Sequence, residues 1–560
     1  MKLGRVRSRE DASMNLRWWL ERASWEYPEK AAVIDGDGAE TDYTHLRAMS
    51  NRIGNVLGEH AAVTEDEIVL TLMRDHHRHV AAFWGTIGIG AVFSGLNPRQ
   101  VPSKYVSDVQ RSRATTLIVD PEFVAIAELL ESKTALSRIY VSRGTHPRFA
   151  SLEWLAAECS DERRIAPRAT SDAAAVNFTS GTSGVAKGVT FTHGTLNNSC
   201  WGSVFLAGIT SSTRNLSLVG MFHSGGIHDS VRLAMAGGTV VWCDGWDVDR
   251  VVRIFREHRP NWMYWIIPTM VRDLMRHPAW ADLDLSGVSA YIAGEPVPPD
   301  VEDALTGKGV RLANMYGLTE AMPVCVLGPS LYYGDQATVP AGSSGRPNKE
   351  FCEVKLADAL TGAALTGGDV EGEVCIRGDV VSPGYFNDPE RTAQSIDAEG
   401  FLHTRDVAYR DAEGWYYVRG RADDVINSGG EKLSLIEVDD ALLAHPKVFD
   451  AACIGVAHER FGEVPAAFVV LDGTFDDGAA RDMLDAHCLG TIERWKRPRL
   501  YVFVEAVPRT VAKRSKWQGE MRRQLEGITV PDANGVTTLT ELRGLPTTSG
   551  AADLAQDGQR

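Results

Sequence analysis

Nowhere in the 560 residues does an apolar run approach the roughly 20 residues needed to cross a bilayer, so no membrane span is expected. The first residues, 1–11, are charged and lack an apolar h-region, so no secretory leader is expected either. Clustered cysteines are missing. The eight thiols are scattered, with no CxxC and no close His/Cys cluster in sequence; this offers no zinc spacing and reads as free packing thiols in a reducing cytoplasm. An excess of positive charge is also missing. A net charge of -16 excludes a general nucleic-acid binder, because phosphate backbones need a basic surface, yet it leaves room for a local basic pocket around a small anion. No internal repeat is evident.

What remains is an ordinary globular composition over a length too great for one core, so two or three structural units are expected. A first helix is predicted over 15–23. A second carries Leu46, Met49, Ile53, Val56 and Leu57 on one face, with Thr44 or Asp42 as its cap. Short apolar runs at 67–73, 116–120, 174–179, 216–219, 239–243, 262–267 and 291–293 read as buried strands. Helical patterns such as Val248, Val251, Val252 and Phe255 lie between them. Near-continuous strands alternating with helices predict an α/β fold: a large N-terminal domain of two parallel-rich sheets. After Pro340, punctuation by Gly, Asp and Pro around short strands (373–377, 415–418) predicts a small β-rich subdomain. A small α+β C-terminal domain is expected over 421–525, joined by a hinge to a core of 1–420. The composition of 526–560 reads as a mostly disordered tail. His76, His77 and His79 read as an exposed helix start rather than metal ligands, and Lys496 and Arg497 as solvated charges.

The most informative segment is Val176-Asn-Phe-Thr-Ser-Gly-Thr-Ser-Gly-Val-Ala-Lys-Gly188. A buried strand leads into glycines and hydroxyls, then a lysine. Gly181 and Gly184 let successive N–H groups turn toward one anion. Thr179, Ser180, Thr182 and Ser183 add hydroxyl donors and Lys187 a positive charge, which suits the phosphates of a nucleotide. Ala186 and Gly188 occupy the places where a Walker A loop needs glycine and a hydroxyl, so it is not that motif. A plain Ser/Gly linker would lack the flanking strand and lysine.

This loop resembles the signature of the adenylate-forming superfamily, which includes acyl- and aryl-CoA synthetases, peptide-synthetase adenylation domains and luciferase. Alanine stands at 186 where the family usually has proline. Further resemblances follow in order: Gly90-Ala-Val-Phe-Ser-Gly-Leu-Asn-Pro98, Met221-Phe-His-Ser-Gly-Gly226, Ala293-Gly-Glu-Pro296, Asn314-Met-Tyr-Gly-Leu-Thr-Glu320, Gly372-Glu373, Gly384-Tyr385, Thr404-Arg-Asp406, and Gly420-Arg421 with Asp423-Asp424. They cover residues 41–516.

The resemblance implies ATP, Mg²⁺ and, in CoA ligases, coenzyme A. Gly294, Glu295 and Pro296 would pack on adenine together with Asn314, Met315, Tyr316 and Gly317, the tyrosine by ring stacking. Thr319 would bond the α-phosphate. Glu320, with Thr182, would supply hard oxygens for Mg²⁺. Asp406 would accept from the ribose hydroxyls and Arg421 would reach ribose or phosphate. His223 is implied as a gate or wall beside the acid, against a plain reading as a hydrogen-bonded core histidine.

Asp423 matches the hinge. Ser428, Gly429 and Gly430 resemble the pantetheine tunnel, which favours CoA as acceptor. A carrier-protein thiol or another nucleophile, including nitrite in diazotising members, is the alternative. The adenylation lysine is sought in Pro508-Arg-Thr-Val-Ala-Lys-Arg-Ser-Lys516, which lacks the family's glycine; Lys513 is expected, with Lys516 second. Pocket walls are expected near His223, 262–265 and 322–325, whose aromatic content hints at an aryl or medium-sized acid.

Overall fold

The computed structural model describes residues 14–162, 165–179, 187–293, 297–327, 340, 342–358, 361–421, 425–428, 431–473, 475–508, 518–531 and 536–539. Two large sheets form the N-terminal part. One runs in the order Ala150–Ser151, Arg138–Val141, Thr116–Val119, Ile68–Leu72, Val92–Gly95, Ala173–Thr179, Lys187–Thr192. Every neighbouring pair is parallel except the last, which is antiparallel. Ile68–Leu72 is buried at all five positions, as expected of a strand with helices on both faces.

The second sheet has nine strands, with Arg311–Leu318, Ser289–Ala293, Trp262–Ile266, Arg214–Ser217, Thr239–Trp242 and Ala31–Ile34 as a parallel centre. Antiparallel strands close both edges. The fold is therefore α/β with two parallel-rich sheets, as the alternating pattern implies.

Local chemistry accounts for the helices between them. The second helix, Tyr43–Asn55, begins where Asp42 accepts a hydrogen bond from the N–H of His45. Asp42, not Thr44, is thus the cap; the Thr44 hydroxyl donates to the carbonyl of Pro28. This helix packs on His77–Gly88 so closely that a Cβ on Gly85 would lie 2.7 Å from the Ser50 carbonyl. Only glycine allows that approach. The helix Val248–His258 buries Val251, Val252, Ile254 and Phe255, each worth about 1.5–3 kcal/mol of transfer free energy.

The β-rich subdomain is a five-stranded antiparallel sheet: Ala364–Leu365, Glu353–Ala357, Val370–Arg377, Leu402–Arg410, Tyr416–Arg421. The C-terminal part is a seven-stranded sheet with the helices Leu435–Leu443, Asp477–Thr491 and Gln518–Gln524.

Two surface expectations are corrected, and the segment read as mostly disordered holds two short strands. The histidines at the start of His77–Gly88 are not exposed. His76 and His79 are buried, His76 against Asp120 at 3.0 Å and His79 against the Thr71 hydroxyl at 2.8 Å, while His77 meets Asp35 at 2.6 Å. Lys496 and Arg497 are not solvated: Lys496 pairs with Glu437 at 2.7 Å, and Arg497 is buried against Asp485. Within the segment read as a disordered tail, Thr529–Val530 joins the strand Val448–His458 and Thr537–Thr538 joins Leu500–Phe503, both parallel. Sheet edges recruited these short polar strands, which composition alone could not register.

Candidate active site

Strands Ala173–Thr179 and Lys187–Thr192 pair antiparallel, with Thr179 opposite Lys187. The glycine- and hydroxyl-rich loop is therefore a hairpin connection whose two ends are locked across one ladder. Ser180, Gly181, Thr182, Ser183 and Gly184 lie outside the described residues.

A second hairpin sits nearby. Arg311–Leu318 and Ala321–Leu327 pair with Leu318 opposite Ala321, so Thr319 and Glu320 are its two turn residues. The Tyr-Gly-Leu-Thr-Glu motif is thus the end of a central strand plus its turn. Thr319 is buried.

The two hairpins are laced together by residues 382–386. The N–H of Thr190 donates to the Gly384 carbonyl (3.1 Å), that of Phe386 to the Gly188 carbonyl (2.7 Å), and that of Ser382 to the Glu320 carbonyl (2.7 Å). This lacing sets Tyr385 between the hairpins. Its phenol donates to Oε1 of Glu320 at 2.8 Å, and the Lys187 ammonium lies 5.3 Å from its ring centre. Burial and then the Glu320 charge hold the phenol well above its ordinary pKa, so it stays a donor. Burial lowers the Lys187 pKa, and the Glu320 carboxylate opposes that shift. Tyr385 carried no expected role in the sequence. Its one signal was its place beside Gly384 in a recognised motif.

Tyr316, two residues before the end of its strand, donates its phenol to Oδ2 of Asp406 at 2.6 Å. Asp406 faces Arg421 across the strand pair Leu402–Arg410/Tyr416–Arg421, with Nη1 to Oδ1 at 3.9 Å. The backbone that presents Asp406 is kinked: Arg405 has a left-handed φ of 60°. Two side chains hold the kink. The N–H of Arg405 donates to Oε1 of Glu373 (2.8 Å), and the Thr404 hydroxyl donates to the Val374 carbonyl (2.7 Å) while accepting from the Asp406 N–H (3.0 Å). Glu373, of the Gly372-Glu373 motif, therefore helps hold the kink that presents Asp406.

The other expected residues distribute as follows. The Asn314 amide donates to the Ser344 hydroxyl at 3.5 Å; Met315 is buried in the core, and Gly317 lies between Tyr316 and the turn. His223 is buried at the start of Ser224–Ala236, where Nδ1 accepts from the Gly225 N–H at 3.0 Å. Its ring meets Trp265 edge-on, 5.4 Å between centres. The preceding backbone is held too: Met221 N–H donates to Asp75 (2.9 Å) and the Asn177 amide donates to the Phe222 carbonyl (2.9 Å). Ser428 is buried in the strand Val425–Ser428 of the C-terminal sheet. Gly294, Glu295, Pro296, Asp423, Asp424, Gly429, Gly430, Lys513 and Lys516 lie outside the described residues. So do the side chains at 322–325.

The described groups make a polar seam: a cation (Lys187), a hard carboxylate (Glu320) and a buried hydroxyl (Thr319) on one side, and a phenol–carboxylate–guanidinium set (Tyr316, Asp406, Arg421) on the other. Such a seam can neutralise phosphates and grip a sugar.

The profile of the AMP-binding enzyme family matches residues 20–386, and that of the AMP-binding enzyme C-terminal domain matches 437–514. A feruloyl-CoA synthase of Amycolatopsis sp is 31% identical over 90% of this chain and 98% of its own length. 4-Coumarate–CoA ligase 5 of Oryza sativa subsp. japonica is 29% identical over 86% and 89%. Among solved structures, the anthranilate CoA ligase AuaEII in complex with anthranoyl-AMP superposes with a TM-score of 0.84 at 26% identity, covering 92% of this chain and 98% of that one. The ordered run of motifs, the paired hairpins and these matches agree, and the chain belongs to the AMP-binding enzyme family, within the adenylate-forming superfamily.

Proposed function

We propose that this protein activates an aromatic carboxylic acid with ATP, releasing pyrophosphate, and passes the acyl group from AMP to the thiol of coenzyme A. The reaction class, an ATP-dependent, AMP-producing acid–thiol ligation, is that of the family. The single observation that carries the site assignment is that the lacing of the two hairpins joins Lys187, Tyr385 and Glu320, while Tyr316, from one of those hairpins, bonds Asp406 beside Arg421.

In the first half-reaction a carboxylate oxygen of the acid attacks the α-phosphorus, and the bond to the bridging oxygen breaks as pyrophosphate leaves. Little covalent help is needed; positioning and charge neutralisation carry such transfers. The hairpin loop and Lys187 hold the phosphate tail. Thr319 bonds the α-phosphate, Asp406 and Arg421 the ribose, and Tyr316 the adenine face. The donor set at Glu320, an oxygen ligand steadied by Tyr385, suits Mg²⁺, with Thr182 as a further oxygen. When bound, Mg²⁺ supplies charge neutralisation on the phosphates. Lys513, with Lys516 second, follows the charge between carboxylate and phosphate. In the second half-reaction a thiolate attacks the acyl carbonyl and AMP leaves. Here residues 421–525 move as a unit about Asp423, and Ser428, Gly429 and Gly430 line the thiol's approach.

The aromatic preference rests on the His223–Trp265 contact. Relatives named for feruloyl, 4-coumarate and anthranilate substrates point the same way. The test is pyrophosphate release across a panel of hydroxycinnamates, benzoates and aminobenzoates set against short and medium aliphatic acids, with mass detection of the CoA thioester. An aliphatic acid as best substrate would overturn the aromatic assignment. Pyrophosphate release with no thioester would move the acceptor to a carrier thiol or to a nucleophile such as nitrite.

A further inference from the structure

The sequence offers no metal spacing, yet folding brings three unlike ligand types together behind the kink that presents Asp406. Glu373 and Cys375 are two apart on Val370–Arg377, and His403 stands opposite Cys375 on Leu402–Arg410. Residues two apart share a face of a strand. An irregularity in the pairing between Glu373 and Cys375 swings the carboxylate toward the same point.

One donor atom from each residue lies within 4.8 Å of the others. Nδ1 of His403 is 3.0 Å from Oε2 of Glu373 and 3.5 Å from Sγ of Cys375. Ligands at about 2.0 Å (N, O) and 2.3 Å (S) from a tetrahedral ion stand roughly 3.3–3.5 Å apart. The two edges that meet at His403 lie within a few tenths of an ångström of these values, and the Glu373–Cys375 edge is within 4.8 Å.

The surroundings also orient the ligands. The far ring nitrogen of His403 lies 3.4 Å from Oδ2 of Asp397, the carboxylate–imidazole arrangement that fixes a metal-binding tautomer. The second oxygen of Glu373 is held by the Arg405 N–H at 2.8 Å. Cys375 is fully buried beside Ala357 and Phe401, while His403 is 29% exposed, so an ion enters from the imidazole side. Lys355, 3.7 Å from Asp397, is a nearby cation.

We propose that Glu373, Cys375 and His403 bind one thiophilic divalent cation of the zinc class, with Asp397 as a positioning residue and a fourth position open to water. On binding, the Cys375 S–H bond breaks, a sulfur–metal bond forms and the proton goes to solvent. Thiolate and imidazole select a soft ion against Mg²⁺, which prefers all-oxygen sites.

The experiment titrates Co²⁺ into the metal-stripped full chain with Mg²⁺ in excess. One equivalent is expected to give intense tetrahedral visible bands and a near-ultraviolet thiolate-to-cobalt band, both lost on adding Zn²⁺. Cys375→Ser is expected to lose the thiolate band, and His403→Gln to weaken binding at least tenfold. Asp397→Asn is expected to keep the thiolate band but bind about tenfold more weakly. A thiolate band that survives Cys375→Ser, or wild-type protein that shows none, would overturn the site. Should Cys375→Ser fail to fold, unchanged affinity in His403→Gln would overturn it equally.

Discussion

The Tyr316 phenol donates a hydrogen bond of 2.6 Å to Oδ2 of Asp406, joining the end of a central strand of the nine-stranded sheet to the five-stranded sheet. Ninety residues of chain separate the two. In the proposed nucleotide seam, one sheet would supply the aromatic ring and another the carboxylate, with the hydroxyl aligning them.

Removing that hydroxyl tests the alignment. Tyr316→Phe keeps the ring but frees the carboxylate, at a cost of about 1.5 kcal/mol, so the KM for ATP should rise roughly tenfold. The KM for the acid should stay within about twofold. Steady-state pyrophosphate release with each substrate varied gives the answer; an unchanged KM for ATP would rule out an aligning role for the hydroxyl.

Tyr385 and Glu320 should act as one unit. If the phenol serves only to hold the carboxylate, Tyr385→Phe is costly in the wild-type background and nearly silent in Glu320→Gln. The coupling expected for groups in contact is about 0.5–3 kcal/mol. Four values of kcat/KM complete the cycle, and multiplicative effects of the two changes would contradict the contact.

Asp75 makes stability depend on pH. Burial is the largest cause pushing its carboxyl up to about 7. The neighbouring Asp244 adds to this, while the Met221 N–H, Arg99 and Arg74 oppose it. The folded state therefore keeps a proton that the unfolded chain has shed above about pH 4. The sign follows from linkage: with the native state binding more protons, stability falls between about pH 4 and 7, by at most ~4 kcal/mol. Asp75→Asn retains an acceptor for Met221 and cannot ionise. It should match wild type near pH 4 and exceed it at pH 8 in chemical denaturation. A difference independent of pH would rule out Asp75 as the source.

The adenylation lysine can be separated from the thioester step. Lys513→Ala should abolish ATP–pyrophosphate exchange while sparing thioester formation from supplied acyl-AMP. Normal exchange in this variant, with loss in Lys516→Ala, would transfer the role to Lys516.

Much of the fold was legible because buried parallel strands leave continuous apolar runs. The runs expected at 116–120, 239–243 and 262–267 appear as Thr116–Val119, Thr239–Trp242 and Trp262–Ile266. The motifs that carry the family resemblance were legible as an ordered run of residue types. Burial of charge was not. His76, His79 and Arg497 read as surface residues because their partners Asp120, Thr71 and Asp485 are distant in sequence or unmarked by any pattern. The strands at 529–530 and 537–538 were missed because a sheet edge supplies hydrogen-bond partners to almost any short backbone.

By itself, then, the sequence determined which chemistry the chain carries, since strand periodicity and motif composition are local properties. Tertiary structure alone decided which groups meet. The lacing of residues 382–386 sets Tyr385 on Glu320, the Arg405 kink turns Asp406 toward Tyr316, and cross-strand register brings Cys375 to His403. The reason is physical: a hydrogen bond or ion pair depends on separations of a few ångströms, and those are set by sheet pairing between segments that the chain order keeps apart.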